Sequence, residues 1–436
     1  MIVGYRILFI PILLLAAPFY LKRMLRRGGY AKDFQHRFGL VPTLPPKRPG
    51  IQRIWVQAVS VGEVQAIRPM VDRFAQDDKV ELVITCTTST AYKIARDQYG
   101  SQALHIGVFP LDFCLFSARA WKRFQPDMAL LMETELWPEH INQANRRKVP
   151  VVVVNGRLSN RSFKRYLKIK AIAGRLLQKL DVLLAATEQD YERFLALGAH
   201  RETTFQTGNL KFDVEVKPLL SASEKNALLG ELGFLRDREA PIVLLGSSTW
   251  PGEEAFLLDT FEQARNELGL ACVLLLVPRH MERRSELERL LRSSQWSWHM
   301  RSSGRVAPAN TDVYLADTTG ELRVLSQVAD LAFIGNSLPP NDGGQTPIEA
   351  AALGLPMVYG PMMTNFKRIC ESLEAAQAAR RAEDAPRAKQ YILELLQSPE
   401  ARSELGQSAK AWHAQNRGAA ERTLEHLYKV LQSSKL

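Results

Sequence analysis

Cysteine is scarce and scattered: Cys86, Cys114, Cys272 and Cys370 are the only four, and none stands in a CxxC spacing. That excludes a disulfide framework and a cysteine zinc site, and it fits a reducing compartment. The chain has no GxxxxGK[ST] and no GxGxxG, which argues against P-loop and Rossmann dinucleotide chemistry. No His/Cys/Asp constellation suggests a metal, and no Asp-x-Asp pair falls in a plausible loop. Spread-out basic charge is missing too. Residues 1–50 hold nine cations against Asp33 alone, so they account for +8 of the net +11. A nucleic-acid binder spreads its cations over a folded domain, so no nucleic-acid partner is expected.

What is present begins with an apolar run, Ile7 to Tyr20. With Met1–Tyr5 it approaches the ~20 residues that span a bilayer, although Arg6 interrupts it. A cleaved signal peptide is the rival reading. No A-x-A site follows, however, and most of the cations come after the run instead of before it. Lys22 to Arg27 belong on the cytoplasmic side by the positive-inside rule. Arg26 to Arg37 then form a basic collar suited to anionic headgroups. The expectation is a membrane anchor with its cations on the cytoplasmic side.

At 436 residues the chain is long for one domain and suggests two. From Arg53 onward, strands alternate with helices. Ile54–Ser60, Glu81–Thr88, Met128–Glu133 and Pro150–Gly156 read as strands, with a helix over TELWPEHINQANRRK. Asp213–Pro218 reads as a linker. A second set follows the helix Ser223–Gly233, with strands at Pro241–Ser248, Ala271–Pro278 and Thr311–Asp317. Near its end, Leu331–Ile334 is a strand closed by Gly335, Pro347 opens a helix that Gly354 caps, and Pro356–Tyr359 is the next strand. The predicted layout is an anchor (1–22), two α/β domains (23–213 and 214–402) and a helical tail (403–436). Alternation of this kind implies parallel sheets covered on both faces. Ligands of such folds sit beyond the carboxyl ends of the strands, hence in the cleft between two halves.

The unusual residues fall at those ends. Glu63 follows the first strand in Ser60-Val-Gly-Glu63. It is either a dipole-favoured first-turn carboxylate or a general base. In Met132-Glu-Thr-Glu-Leu-Trp-Pro138, Thr134 as N-cap makes Glu135 a first-turn acid and leaves Glu133 facing the cleft. Lys211 and Arg279 are single cations at strand ends, suited either to clamping phosphate or to a surface ion pair. Ala316–Arg323 and Gly343–Ala351 are strand ends that run through turns into helices.

Together these motifs resemble the 3-deoxy-D-manno-octulosonic acid (Kdo) transferases of lipopolysaccharide assembly. The matching stretches run in order along nearly the whole chain: SVGE (60–63), METELWP (132–138), GRLSNRSF (156–163), TGNLKFD (207–213), STWPGEE (248–254), VPRH (277–280), ADTTGELR (316–323) and GGQTPIEAA (343–351). The resemblance implies a GT-B fold with two Rossmann-like domains and transfer of Kdo from CMP-Kdo to a lipid A precursor (lipid IVA). It implies inversion in one displacement, with no cofactor and no metal. It carries the catalytic base onto Glu63 and transition-state support onto Glu133 and Lys211. It carries CMP binding onto Pro278 and Arg279, onto Thr319, Gly320 and Glu321, and onto Thr346, Pro347, Ile348 and Glu349. Three positions depart from the usual pattern: Thr346 stands for Asn, Ala350 for Pro and Met281 for Pro. Two other readings are a UDP-sugar GT-B transferase and a membrane-anchored nucleotide-binding protein without turnover. Activity with CMP-Kdo alone separates the first, and release of free CMP in the presence of acceptor separates the second.

Overall fold

The computed structural model describes residues 2–26, 33–213, 218–236 and 241–433. The chain divides into two compact units, one made of Met1–Asp213 with Asn416–Leu436 and the other of Val214–Gln415. Each is built on a seven-stranded parallel sheet.

The strands of the first unit are β1 (Gln52–Ala58), β2 (Val80–Cys86), β3 (His105–Val108), β4 (Met128–Met132), β5 (Val151–Gly156), β6 (Val182–Ala185) and β7 (Thr204–Gln206). Their order is β3-β2-β1-β4-β5-β6-β7, so the winding reverses between β1 and β4. Register places Ala58 beside Cys86 and Gln57 beside Leu131. Both faces are buried, which is why these strands are apolar runs and not alternating ones. Alternate residues still sort by face. Ile54, Val56, Leu130 and Val152 pack in one cluster, while Trp55, Leu131 and Val153 pack in the other. Ser60, Thr88 and Thr187 cap the helices that leave β1, β2 and β6, each accepting a backbone N–H three residues on.

The second unit has β8 (Ile242–Thr249), β9 (Cys272–Pro278), β10 (Trp298–Met300), β11 (Val313–Leu315), β12 (Leu331–Ile334), β13 (Met357–Tyr359) and β14 (Arg380–Arg381). The order β10-β11-β9-β8-β12-β13-β14 reverses between β8 and β12. Leu331–Ile334 forms the expected strand, and Gly354 ends the helix Ile348–Leu353 in the left-handed conformation. Pro347 stands one residue earlier than expected, as the N-cap.

Three expectations need correction. The tail 403–436 is not a module of its own. The helix Pro399–Asn416 belongs to the second unit except for its last residue, and the helix Ala419–Ser433 packs into the core of the first. Gly418, at φ 89°, breaks the two apart. The helix after β4 covers Pro138–Arg146, with Trp137 as its N-cap, so Thr134 caps nothing. Instead the Thr134 hydroxyl donates to the Arg157 carbonyl at 2.6 Å. Arg37 is not available to a lipid collar either, because it is buried and donates to the carbonyls of Phe109 and Thr87. The collar residues Arg27 and Lys32, and the linker residues 214–217, lie outside the described residues.

At the front, Ile2–Arg26 is one helix. By length and composition, Ile2–Phe19 suffices to cross a membrane.

Candidate active site

In the first unit the winding reversal brings the ends of β1 and β4 together, and the sequence-expected acids are there. Glu63 lies in the first turn of the helix Val61–Ala66 and is only 5% exposed. Its carboxylate accepts the Val59 backbone N–H and the Ser60 hydroxyl, both at 2.8 Å. Burial pushes its titration up to about 7, and the nearby negative charge of Glu133 pushes the same way. The two hydrogen bonds and the Lys211 cation pull it back. Glu63 therefore exchanges its proton near neutral pH, as a general base requires.

Glu133 begins the turn after β4 in the left-handed region at φ 54°, with its N–H bonded to the Val154 carbonyl on β5. Its carboxylate meets Lys211 Nζ at 3.0 Å and Arg157 Nη1 at 3.6 Å. Lys211 reaches it from the one-turn helix Leu210–Asp213. That turn is fixed at both ends. Asn155 Oδ1 accepts the Leu210 N–H at 3.1 Å, and Asp213 accepts the N–H groups of Gly418 and Ala420. The Lys211 side chain then passes over Gly62, where an added Cβ would lie 3.8 Å from Nζ. Glu135 is the third acid here. Burial first, then Glu63 and Glu133, raise it to about 7. Glu63, Glu133 and Lys211 thus form one cluster.

In the second unit the expected nucleotide residues stand at the carboxyl ends of β9, β11 and β12. Pro278 ends β9, and Arg279 extends from it, exposed and with its N–H bonded to the Thr249 carbonyl. Thr319 and Gly320 are exposed in the turn after β11, with Gly320 at φ 90°. Glu321 is held by Arg301 and by the Thr318 hydroxyl. Arg301 and Thr318 keep Glu321 below the usual carboxylate range despite partial burial. After β12, Thr346 is exposed while Pro347 and Ile348 are buried. Glu349 pairs with Arg323 at 2.8 Å, which ties the Thr319–Arg323 turn to the Thr346–Glu349 turn. Ser247, Ser248, Ile334, Thr346 and Glu349 line a small cavity where the winding reverses. Only glycine fits at 335, since a Cβ there would meet the Ser248 carbonyl oxygen at 2.4 Å.

Comparison with known proteins decides the family. The family model described as 3-deoxy-D-manno-octulosonic-acid transferase (kdotransferase) matches residues 32–214. A 3-deoxy-D-manno-octulosonic acid transferase from Haemophilus influenzae is 32% identical over 426 residues, covering 97% of this chain and 95% of that one. A Bordetella pertussis enzyme of the same name is 34% identical over 414 residues, covering 93% and 94%. The chain belongs to the Kdo transferase family. It is therefore a glycosyltransferase of lipopolysaccharide biosynthesis. The UDP-GlcNAc 2-epimerase from Neisseria meningitidis, solved with UDP-GlcNAc, superposes with a TM-score of 0.59 at 15% identity, over 87% of this chain and all of that one. That likeness speaks for the fold, the two Rossmann-like domains of GT-B.

Two parts of this Kdo transferase were not visible as functional positions in the sequence. Glu253, 1% exposed, accepts the backbone N–H groups of Trp250, Asn336, Ser337 and Leu338 at 2.8 to 3.1 Å. It clamps the start of the loop that leads to Thr346. Its only signal in the sequence is its place in STWPGEE, one of the stretches that carry the resemblance. Of the two residues that seat Lys211, Asp213 closes the TGNLKFD stretch and Asn155 lies in none of the matching stretches.

Proposed function

We propose that this Kdo transferase moves Kdo from CMP-Kdo to a lipid A precursor, lipid IVA, with inversion and without a metal. It works at the cytoplasmic face of the inner membrane, anchored by its N-terminal helix. The observation that carries the reading is Glu63: a buried carboxyl that titrates near neutrality beside the Glu133–Lys211 pair. In the proposed step the ionised Glu63 takes the proton from the attacking sugar hydroxyl, the 6′-OH of the distal glucosamine. The oxygen bonds to the anomeric carbon while that carbon's bond to the CMP phosphate oxygen breaks. The bonding pair leaves with CMP. A single displacement from the opposite face inverts the centre.

The transition state has oxocarbenium character, and a fixed carboxylate stabilises it without reorganising. Glu133 serves there because Lys211 and Arg157 hold it still. Arg279, exposed and extended from Pro278, meets the negative charge of CMP. Thr319 to Glu321 and Thr346 to Glu349 shape the nucleotide site around it. Cations then do the neutralising that a divalent metal does elsewhere, so EDTA is expected to leave activity intact. Activity that EDTA abolishes and Mg²⁺ restores would remove that part of the proposal. The main test is a mass spectrum of the product formed from CMP-Kdo and purified lipid IVA, beside free CMP release. A UDP-sugar that replaces CMP-Kdo, or CMP-Kdo left intact, would overturn the reading.

A further inference from the structure

The first turns of the N-terminal helix are clasped to the first unit. Arg6 makes a two-point ion pair with Glu139, at 2.8 and 2.9 Å. The Tyr5 hydroxyl donates to Asp112 at 2.6 Å, and the Phe9 ring stacks on Phe113 at 5.5 Å between centroids. Both acids are built into the fold. Asp112 also accepts the N–H groups of Glu139 and His140, and Glu139 accepts from the Gln143 amide. The Glu139 side chain is fully buried, and among the described residues Arg6 is the only cation paired with it. Without Arg6 it would be an uncompensated buried charge, which is strongly destabilising.

This clasp is incompatible with a helix that crosses the bilayer. Lys22 lies 16 residues beyond Arg6, or about 24 Å along an α-helix. With Lys22 at the cytoplasmic headgroups of a spanning helix, Arg6 would stand near the far side of a hydrocarbon layer ~30 Å thick. Glu139 and Asp112, in the body of an α/β unit, cannot follow it there. The surroundings point the same way. The half-covered residues Tyr5, Arg6, Phe9, Leu13 and Ala17 recur at helical spacing, while Ile7, Leu8, Ile12, Leu15 and Phe19 are more than half exposed. Beside the clasp, one groove is lined by Arg6, Arg146 and Arg147, and a second, which shares Leu115 and Arg147 with it, by Arg119 and Lys122. Cations so placed suit the anionic headgroups of the same leaflet.

We infer that the helix lies along the membrane surface, its exposed apolar side in one leaflet and its N-terminus on the same side as the α/β unit. The inference rests on the anchor reading and fixes its geometry: the catalytic unit is held at one angle to the lipid, not hung from a tether. The test uses the full-length chain in native membranes. Gly4→Cys introduces a side chain that meets nothing within 4 Å. A membrane-impermeant maleimide should label it in inverted vesicles and not on spheroplasts, with the parent chain as the blank. Labelling on spheroplasts would overturn the inference while leaving the anchor intact. A chain that pellets with no membrane at low and high salt would overturn both. As a second arm, Phe9→Cys with Phe113→Cys, in a Cys114→Ser background, should form an intrachain cross-link with a short bismaleimide in those membranes. Membrane-bound, active protein that never forms it would equally overturn the clasp.

Discussion

Glu63 and Glu253 occupy matching places in the two halves of the molecule. Each lies in the first turn of the helix that follows the strand where its sheet reverses direction. Each is buried, and burial raises both. The difference lies in what surrounds the oxygens. Glu253 spends its carboxylate on four backbone N–H groups, so it has no lone pair to offer a substrate. Glu63 accepts one N–H and one hydroxyl, and it shares its surroundings with Glu133 and Lys211. A saturated buried acid is a fastener, and a half-saturated one can exchange a proton.

The strongest way to break this comparison is to replace each acid by its amide. Glu63→Gln keeps the shape, with its amide oxygen to accept the Val59 N–H and its N–H₂ to donate to the Ser60 hydroxyl, but it cannot take a proton. Single-turnover transfer with saturating donor should fall about 100-fold or more, a barrier change of roughly 2.7 kcal/mol, with the melting curve almost unmoved. Glu63→Asp should recover little, because the shorter side chain withdraws the carboxylate from the attacking hydroxyl. Transfer by Glu63→Gln at the parental rate would pass the base role to Glu133. Glu253→Gln should show the opposite pattern. Its amide N–H₂ group must face backbone donors, at ~1–3 kcal/mol for each group left unpaired, so the melting temperature should drop by about 5 °C or more. Donor KM should rise, while kcat at saturation stays within a few-fold.

Next in size is Arg279→Ala, which removes the proposed charged partner of the donor from an exposed position. Donor KM should rise roughly tenfold or more, matching the ~1.5–3 kcal/mol of a charged hydrogen bond, with acceptor KM unchanged. Equal loss for donor and acceptor would indicate misfolding instead.

The smallest effects are in pH. As the proposed base Glu63 must be ionised, so kcat/KM should climb about tenfold per pH unit below about 7 and flatten above it. Glu133→Gln removes the neighbouring charge that helps hold Glu63 protonated, so in the residual activity the midpoint should move down. Lys211→Met should move it up. Stability follows the same titration with the reverse sense. The folded protein binds this proton more tightly than the unfolded chain, whose glutamate titrates near 4.5. Stability from this group is therefore present at low pH and lost as pH rises through about 7. Glu63→Gln should erase that slope in melting experiments.

Local pattern made the sheets and their ends readable. Runs such as Val151–Val154 have nowhere to go but the inside of a parallel sheet, and Gly335, Pro347 and Gly354 punctuate a turn by their own backbone limits. Failures came where a distant residue decides the outcome. Thr134 reads as a helix cap, yet the carbonyl of Arg157, 23 residues on, claims its hydroxyl. Glu253 has no role of its own in the sequence reading, because three of its four donors come from 83 to 85 residues away. Arg37 reads as one more surface cation, and carbonyls 50 and 72 residues later draw it inside. The site acids were legible because each follows its own strand. The groups that aim Lys211 were not, because Asn155 and Asp213 act across the fold.

The helix Ala419–Ser433 gives the protein an unusual order of assembly. It supplies Ala419, Ala420, Leu427 and Leu431 to the core of the first unit, and its start holds Asp213, two residues from Lys211. On the ribosome, the residues up to Asp213 emerge long before the helix Ala419–Ser433 is made. The half that carries Glu63 must wait, with part of its apolar interior uncovered, until the helix Ala419–Ser433 has been made. A premature stop after Asn416 would spare every residue named for the chemistry and still leave the Lys211 turn without its fastening.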